Sequence, residues 1–285
     1  MTIKAILSRF ADKAAKHLQS QTSLRHEYDN IKRRVELITP GNPAIYGYKI
    51  YSQCDEDGIL AYIFSKISGL RTFVEIGCGN GLENNTHGLI LSGWRGIWID
   101  GNRNNIKHIQ RTIPISKNLI YKCVMVSEEN VVQVIKGLTV EADIRSIDLL
   151  SIDIDSNEIY ILEELLKHIT PRVLCVEYNA KFPPPMEISV RHNATMWRGD
   201  DYQGSSLSSF VKILDPFGYK LITCNLSGVN AFFVRKEYAK EFPNYNAVEL
   251  YQPARYDLIR LKSGHRPSLR FLADALSSPY NSKHE

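Results

Sequence analysis

One short run carries the first chemical signal: Glu75-Ile-Gly77-Cys-Gly79-Asn-Gly81. The apolar stretch Thr72-Phe73-Val74 precedes it, and a second stretch, Trp94 to Ile99, ends in Asp100. Glycines let the chain turn sharply and let a ligand lie against the main chain. A carboxylate closing the next strand can accept hydrogen bonds from both hydroxyls of a ribose. A dinucleotide turn reads G-x-G-x-x-G and offers a helix N-terminus to a pyrophosphate. Here the spacing is G-x-G-x-G, and Glu75 stands where it would repel a pyrophosphate and attract an ammonium, directly or through water. The expected ligand is therefore a nucleoside that carries an amino-acid group.

A second set of acids, Asp153, Asp155 and Glu177, falls at the ends of later apolar runs. Ligands of open α/β sheets gather beyond the carboxyl ends of the strands. Asp153 is the first choice for a reaction centre, with Asp155 on its face if the strand continues. Three carboxylates on neighbouring strand ends can hold one Mg²⁺ through oxygen. Without a metal, Asp153 or a nearby histidine would serve as base. The competing reading is that Asp155 and Asn157 only cap the helix beginning near Glu158. Of the histidines, His87 lies in the helix after the glycines and His192 in a long irregular stretch. Lone histidines are more often structural than catalytic, and position favours His192.

These residues need elements to hold them. Residues 3–18 put Ile3, Ile6, Leu7, Phe10, Ala14 and Leu18 on one helical face, and a second helix is expected at 23–37. Thr39-Pro-Gly-Asn-Pro43 then breaks the chain. Strands are expected at 72–76, 94–100, 119–126, 148–154, 172–178, 219–224 and 231–234, with helices at 131–138, 158–168 and 206–214. The strands are apolar nearly throughout, as parallel strands covered on both faces should be. The link between the last two is too short for a parallel crossover, so they pair antiparallel. The fold class is thus α/β, a Rossmann-like seven-stranded, mostly parallel sheet with an antiparallel last strand. The expected organisation is a helical N-terminal appendage (1–45), a catalytic domain (46–240) and a basic C-terminal extension (241–285). Segment 180–205, with Trp197, Tyr202, Arg191 and Arg198, reads as a substrate loop. Its aromatics suit stacking on a ring and its arginines suit a phosphate.

The glycine run and its acid are similar to motif I of the class I S-adenosylmethionine-dependent methyltransferases, E/D-x-G-x-G-x-G. Two further segments resemble the FkbM-type methyltransferases, a bacterial group acting mainly on hydroxyls of sugars and natural products. Tyr51-Ser-Gln53-Cys-Asp-Glu-Asp-Gly58 is similar to that family's S-Q-x-x-E-D stretch. Leu149-Leu-Ser-Ile-Asp153-Ile-Asp155-Ser-Asn-Glu158 resembles its L-L-K-I-D-V-E-G-x-E stretch, with Ser151 for Lys, Asp155 for Glu and Ser156 for Gly. The resemblance covers residues 50–235. It implies S-adenosylmethionine as cofactor, held by Gln53, Glu75, Gly77, Gly79, Gly81, Asp100 and Asp153. It implies O-methylation of a small-molecule acceptor such as a sugar or a phosphorylated or nucleotide-linked precursor. Asp153 and His192 are then the catalytic residues, and Asp153, Asp155 and Glu177 the Mg²⁺ ligands.

Bulk properties set outer bounds. The chain has 285 residues, 44% hydrophobic and 23% charged, which is enough apolar material for one large core. A net charge of +4 does not call for nucleic acid, and no apolar run approaches a membrane span. Five cysteines without metal spacing fit reduced thiols in the cytoplasm. The N-terminal helices are a candidate surface for homo-oligomers. The competing functions are an NAD-linked sugar oxidoreductase, an RNA methyltransferase and a non-catalytic binding subunit of methyltransferase fold.

Overall fold

The structure is a computed structural model that describes residues 3–114, 116–192 and 197–277, residues 3–17 by backbone alone. It opens with one continuous helix, α1 (Ile3–Ile38). The two helices expected here are therefore one. The intervening Gln19-Ser-Gln-Thr22 contains neither proline nor glycine, and the Thr22 hydroxyl bonds back to the Leu18 carbonyl at 3.0 Å. The apolar face expected from Ile3 to Ala14 lies outside the described side chains.

Seven strands form one sheet: β1 (Thr72–Ile76), β2 (Arg95–Asp100), β3 (Leu119–Cys123), β4 (Leu149–Ile152), β5 (Val173–Glu177), β6 (Tyr219–Cys224) and β7 (Asn230–Arg235). Their order is β3-β2-β1-β4-β5-β7-β6. Strand β7 runs antiparallel to β5 and β6, and the other pairings are parallel. The expected sheet is the one observed. Ile76 pairs with Ile99 on one side and Ile152 on the other, so β1, β2 and β4 end together. That shared edge brings Gly77, Asp100 and Asp153 into one place.

The helices that follow are α2 (Glu56–Lys66), α3 (His87–Leu91), α4 (Arg103–Gln110), α5 (Val131–Glu141), α6 (Glu158–Leu166), α7 (Leu207–Leu214), α8 (Ala247–Leu250) and α9 (Arg270–Ser277). Strand alternation divides the core into two layers. Val74, Ile76, Ile97 and Ile99 pack with buried residues of α5, α6 and α7, such as Ile135, Leu162 and Phe210. Phe73 and Trp98 face the other way, onto Leu60, Ile90, Ile109 and Leu272. Helix α4 has no counterpart in the sequence reading, because only Ile106 and Ile109 are buried on it. The Asn102 side chain starts it by accepting the Asn104 amide at 2.9 Å. The C-terminal segment contributes to the core through Leu250, Leu269 and Leu272. Tyr28 and Val35 of α1 pack with Cys54, Leu226 and Leu258 in a third cluster. No helix among the described residues is long and apolar enough to cross a membrane.

Candidate functional site

At the end of β1 the chain turns through positive φ at Gly77 (+90°) and Gly79 (+57°). A Cβ on Gly77 would lie 1.7 Å from the Asp153 carbonyl oxygen, so only glycine lets the ends of β1 and β4 come this close. Gly79 faces open space, and its N–H donates to Asp100 Oδ2 at 2.8 Å. Asp100 Oδ1 accepts the Asn102 amide at 2.7 Å and Asn105 Nδ2 at 3.1 Å. The sequence reading missed Asn105, although the asparagine-rich run after Asp100 is its signal.

A cavity of about 790 Å³ opens over this turn. Of the expected site residues, Gln53, Gly77, Gly79, Asp100, Asp153, Asp155 and His192 line it. The far wall is Val124, Met125 and Val126 after β3, and Tyr160 of α6 borders the outer end.

Three expected residues sit elsewhere. Glu75 points to the opposite face of β1 and is 3% exposed. Asn84 Nδ2 and the Asn85 amide each donate to it at 2.8 Å, and the Thr86 hydroxyl at 2.5 Å. Burial still pushes its carboxyl up to about 7. Glu75 thus orders segment 84–86, and the geometry offers it no direct path to a ligand ammonium. Strand parity is the reason: Ile76 faces the cavity layer and Glu75 the other. Gly81 gives room to Trp98 and Leu269, whose atoms lie 2.9 and 3.3 Å from where its Cβ would be. Glu177 stands behind Asp153 and does not line the cavity.

The acids of the segment before β1 behave like Glu75. Asp57 Oδ2 accepts the amides of Ile50, Tyr51 and Ser52 and the Ser52 hydroxyl, at 2.7–2.8 Å. Glu56 accepts the Cys54 amide and the side chains of Asn225 and Asn230. These acids fasten the segment that presents Gln53 to the cavity.

Asp153, Asp155 and Glu177 come together, with a carboxylate oxygen of each within 4.8 Å of the others. Burial and the charge of Asp155 push Asp153 up to about 6, and a hydrogen bond from Glu177 opposes this. Burial, then Asp153, Glu158 and Asp155, hold Glu177 well above the usual carboxylate range. Asp155 adopts φ +66°, a left-handed conformation that costs a non-glycine residue energy. Neither Asp155 nor Asn157 caps α6 with its side chain. Glu158 holds the turn instead, its Oε1 accepting the amides of Ile154 and Ser156 at 3.0 Å. Oxygen donors alone, close spacing and a buried Glu177 Oε2 without a donor fit a hard divalent cation.

His87 is buried, donates from Nδ1 to the Gly81 carbonyl at 2.7 Å and stacks on Tyr51 at 3.6 Å. Burial lowers its pKa to about 4, so it is a neutral structural group. His192 lies at the cavity rim, bonded through Nε2 to Glu128 and edge-on to Tyr160 at 5.0 Å. In segment 180–205, Ser189 bridges to Ser205, and Asn179 Nδ2 holds the Asp201 and Gln203 carbonyls at 3.0 and 2.9 Å. Trp197 Nε1 donates to the Asp200 carbonyl at 2.6 Å. Neither Arg191 nor Arg198 lines the cavity, so the expected phosphate grip is not assembled there.

No protein-family model matches the chain, and no curated protein matches it. Solved structures do. An amino pentose methyltransferase from Micromonospora echinaspora, with S-adenosylmethionine bound, is 12% identical over 65% of this chain and 92% of its own, at a TM-score of 0.38. A plantazolicin methyltransferase with S-adenosylhomocysteine is 14% identical over 79% and 98%, at 0.40. A glycopeptide N-methyltransferase with S-adenosylmethionine is 13% identical over 66% and 96%, also at 0.40. Likeness at these scores carries no conclusion about activity, which rests on this chain's own site.

Proposed function

We propose that the chain is an S-adenosylmethionine-dependent methyltransferase acting on a hydroxyl of a small molecule such as a sugar or natural-product precursor. One observation carries this reading. The open glycine turn with Asp100 and the carboxylate Asp153 face each other across one cavity. Asp100 would receive the ribose hydroxyls, and Val124 and Met125 would border the base. The methionine end then runs over Gly77 toward Asp153.

Methyl transfer from a sulfonium is a displacement. The acceptor oxygen forms a bond to the methyl carbon as the carbon–sulfur bond breaks, leaving neutral S-adenosylhomocysteine. The hydroxyl must lose its proton, and Asp153 is placed to take it. Glu177, with a carboxylate oxygen within 4.8 Å of Asp153, would orient it. Asp153, Asp155 and Glu177 would hold a Mg²⁺ ion, whose chemistry would be to acidify the acceptor hydroxyl. Held by Glu128 at the rim, His192 would orient the acceptor.

The test is incubation of the protein with methyl-labelled donor and cell extract, read by mass spectrometry. Label in one product together with S-adenosylhomocysteine supports the reading. Absence of both refutes it.

A further inference from the structure

The arginines of segment 180–205 do not meet over the cavity, but two others meet elsewhere. Arg34 of α1 and Arg255, on the stretch before Leu258, line one groove of about 460 Å³. It shares no lining residue with the cavity over Gly77. Neither arginine is in an ion pair among the described residues. That sets them apart from Arg172, Arg235 and Arg260, which face Asp148, Glu237 and Asp257. Asp257, the acid nearest to Arg255 along the chain, is thus already engaged.

Arg255 is half-buried and held in place. Its amide donates to the Ser227 carbonyl at 2.8 Å. Its Nη1 donates to the Leu226 carbonyl and to Gln252 Oε1, each at 2.9 Å. These acceptors are neutral, so they fix the guanidinium and leave its charge unmatched. Burial is the main cause that lowers its pKa; the Arg34 charge lowers it further, and Tyr178, Glu27 and Tyr251 oppose this. Two like charges held against one space form an arrangement that an anion relieves.

The rest of the groove supplies donors. His26, Asn30 and Arg34 recur every fourth residue of α1, which puts them on one face. Ser23 stands one turn earlier. Hydroxyl, amide, imidazole and guanidinium groups can all donate to oxygen. Glu27 is the one acid in the lining among the described residues. Against two guanidiniums it leaves an excess of positive charge, and no ion pair ties it to either.

We infer that this groove binds a phosphoryl group, clasped between the Arg34 and Arg255 guanidiniums with His26 and Asn30 donating from α1. Guanidinium forks match phosphate oxygens two at a time. The bound group would tie α1 to the C-terminal segment. The inference does not depend on the methyltransferase reading.

The experiment is calorimetry on the full chain at constant ionic strength set with chloride. Inorganic phosphate and glucose 1-phosphate are titrated separately, and at least one should bind saturably at millimolar concentrations. Tighter binding of the ester would identify a phosphorylated small molecule as the source, and tighter binding of phosphate the free ion. Arg34→Gln and Arg255→Lys should each weaken binding roughly fivefold or more. Glu27→Gln should act in the opposite sense and tighten it roughly two- to threefold. Arg34 is exposed, so Arg34→Gln carries the test even if Arg255→Lys fails to fold. No saturable binding of either probe would overturn the inference. So would affinity unchanged in Arg34→Gln, or weakened in Glu27→Gln, since either would show a general ion effect in place of a clasp.

Discussion

Asp100 and Asp153 face one cavity from strand ends on either side of β1, yet their surroundings differ. Asp100 is met by three protein donors, from Gly79, Asn102 and Asn105. Asp153 is met by other acids, Asp155 and Glu177. Glu75 and Asp57 resemble Asp100, with three and four donors each. A carboxylate filled by protein donors fixes the shape of its surroundings. One left among like charges stores a demand for a cation, a proton or a substrate group. The glycine end of the cavity is therefore shaped before a ligand arrives, with acceptor capacity left on Asp100 Oδ2, and the β4–β5 end is completed by what binds.

Substitutions can break or sharpen that contrast. The largest effect is expected at Asp153. Asp153→Asn should lower kcat by on the order of 10²–10⁴-fold while S-adenosylhomocysteine affinity, read by calorimetry, changes little. Full turnover in this variant would remove Asp153 as the base. Asp100→Ala should instead weaken cofactor binding by roughly 10–100-fold, because it removes the ribose acceptor and frees the Gly79 and Asn102 amides. If both variants shifted binding and turnover alike, the two ends would not be distinct.

Glu75→Gln probes the filled class away from the cavity. It should cost about 1–3 kcal/mol in a denaturant melt, since one amide oxygen cannot serve all of the donors in segment 84–86. Its kcat on the surviving folded protein should stay near that of the wild type. A selective loss of cofactor affinity at unchanged stability would restore Glu75 as a direct ligand.

The smallest expected effect is a pH slope at His87. Folded, its pKa is near 4, against 6.5 when free. Between those values the unfolded chain binds the proton and the folded chain does not, so stability falls as pH drops through that window. Above 6.5 the contribution is fully present. Between pH 6.5 and 5 the loss should be about 2 kcal/mol. His87→Gln, which keeps a donor for the Gly81 carbonyl, should flatten that part of the stability curve. An unchanged slope would show that carboxylates alone govern it.

Much of this arrangement was legible in the chain. Continuous apolar runs located every strand, and the short link from Cys224 to Asn230 disclosed the reversed β7. Gly77, Gly79, Asp100 and Asp153 were readable as neighbours because the strand ends meet at one edge, whereas Gly81 packs against Trp98 and Leu269. What stayed hidden depended on direction and partners. Glu75 looks like a ligand in a linear motif, and only the alternation of β1 turns it away from the cavity. Asp57 and Glu56 carry no local mark of the amides and asparagines they bind, some from as far along the chain as Asn225 and Asn230. Helix α4 was silent because its apolar stripe is two residues wide. The pairing of Glu128, on the loop after β3, with His192 beside Tyr160 emerged only in space.

The central claim is that the first turn of the sheet seats an amino-acid nucleoside. Its most direct test is a crystal structure of the protein grown with S-adenosylmethionine, alongside calorimetry against NAD. The account predicts ribose hydroxyls on Asp100, the methionine chain over Gly77 and Gly79 with the sulfonium toward Asp153, and no heat from NAD. A pyrophosphate resting on that turn, or binding of NAD in place of S-adenosylmethionine, would contradict it.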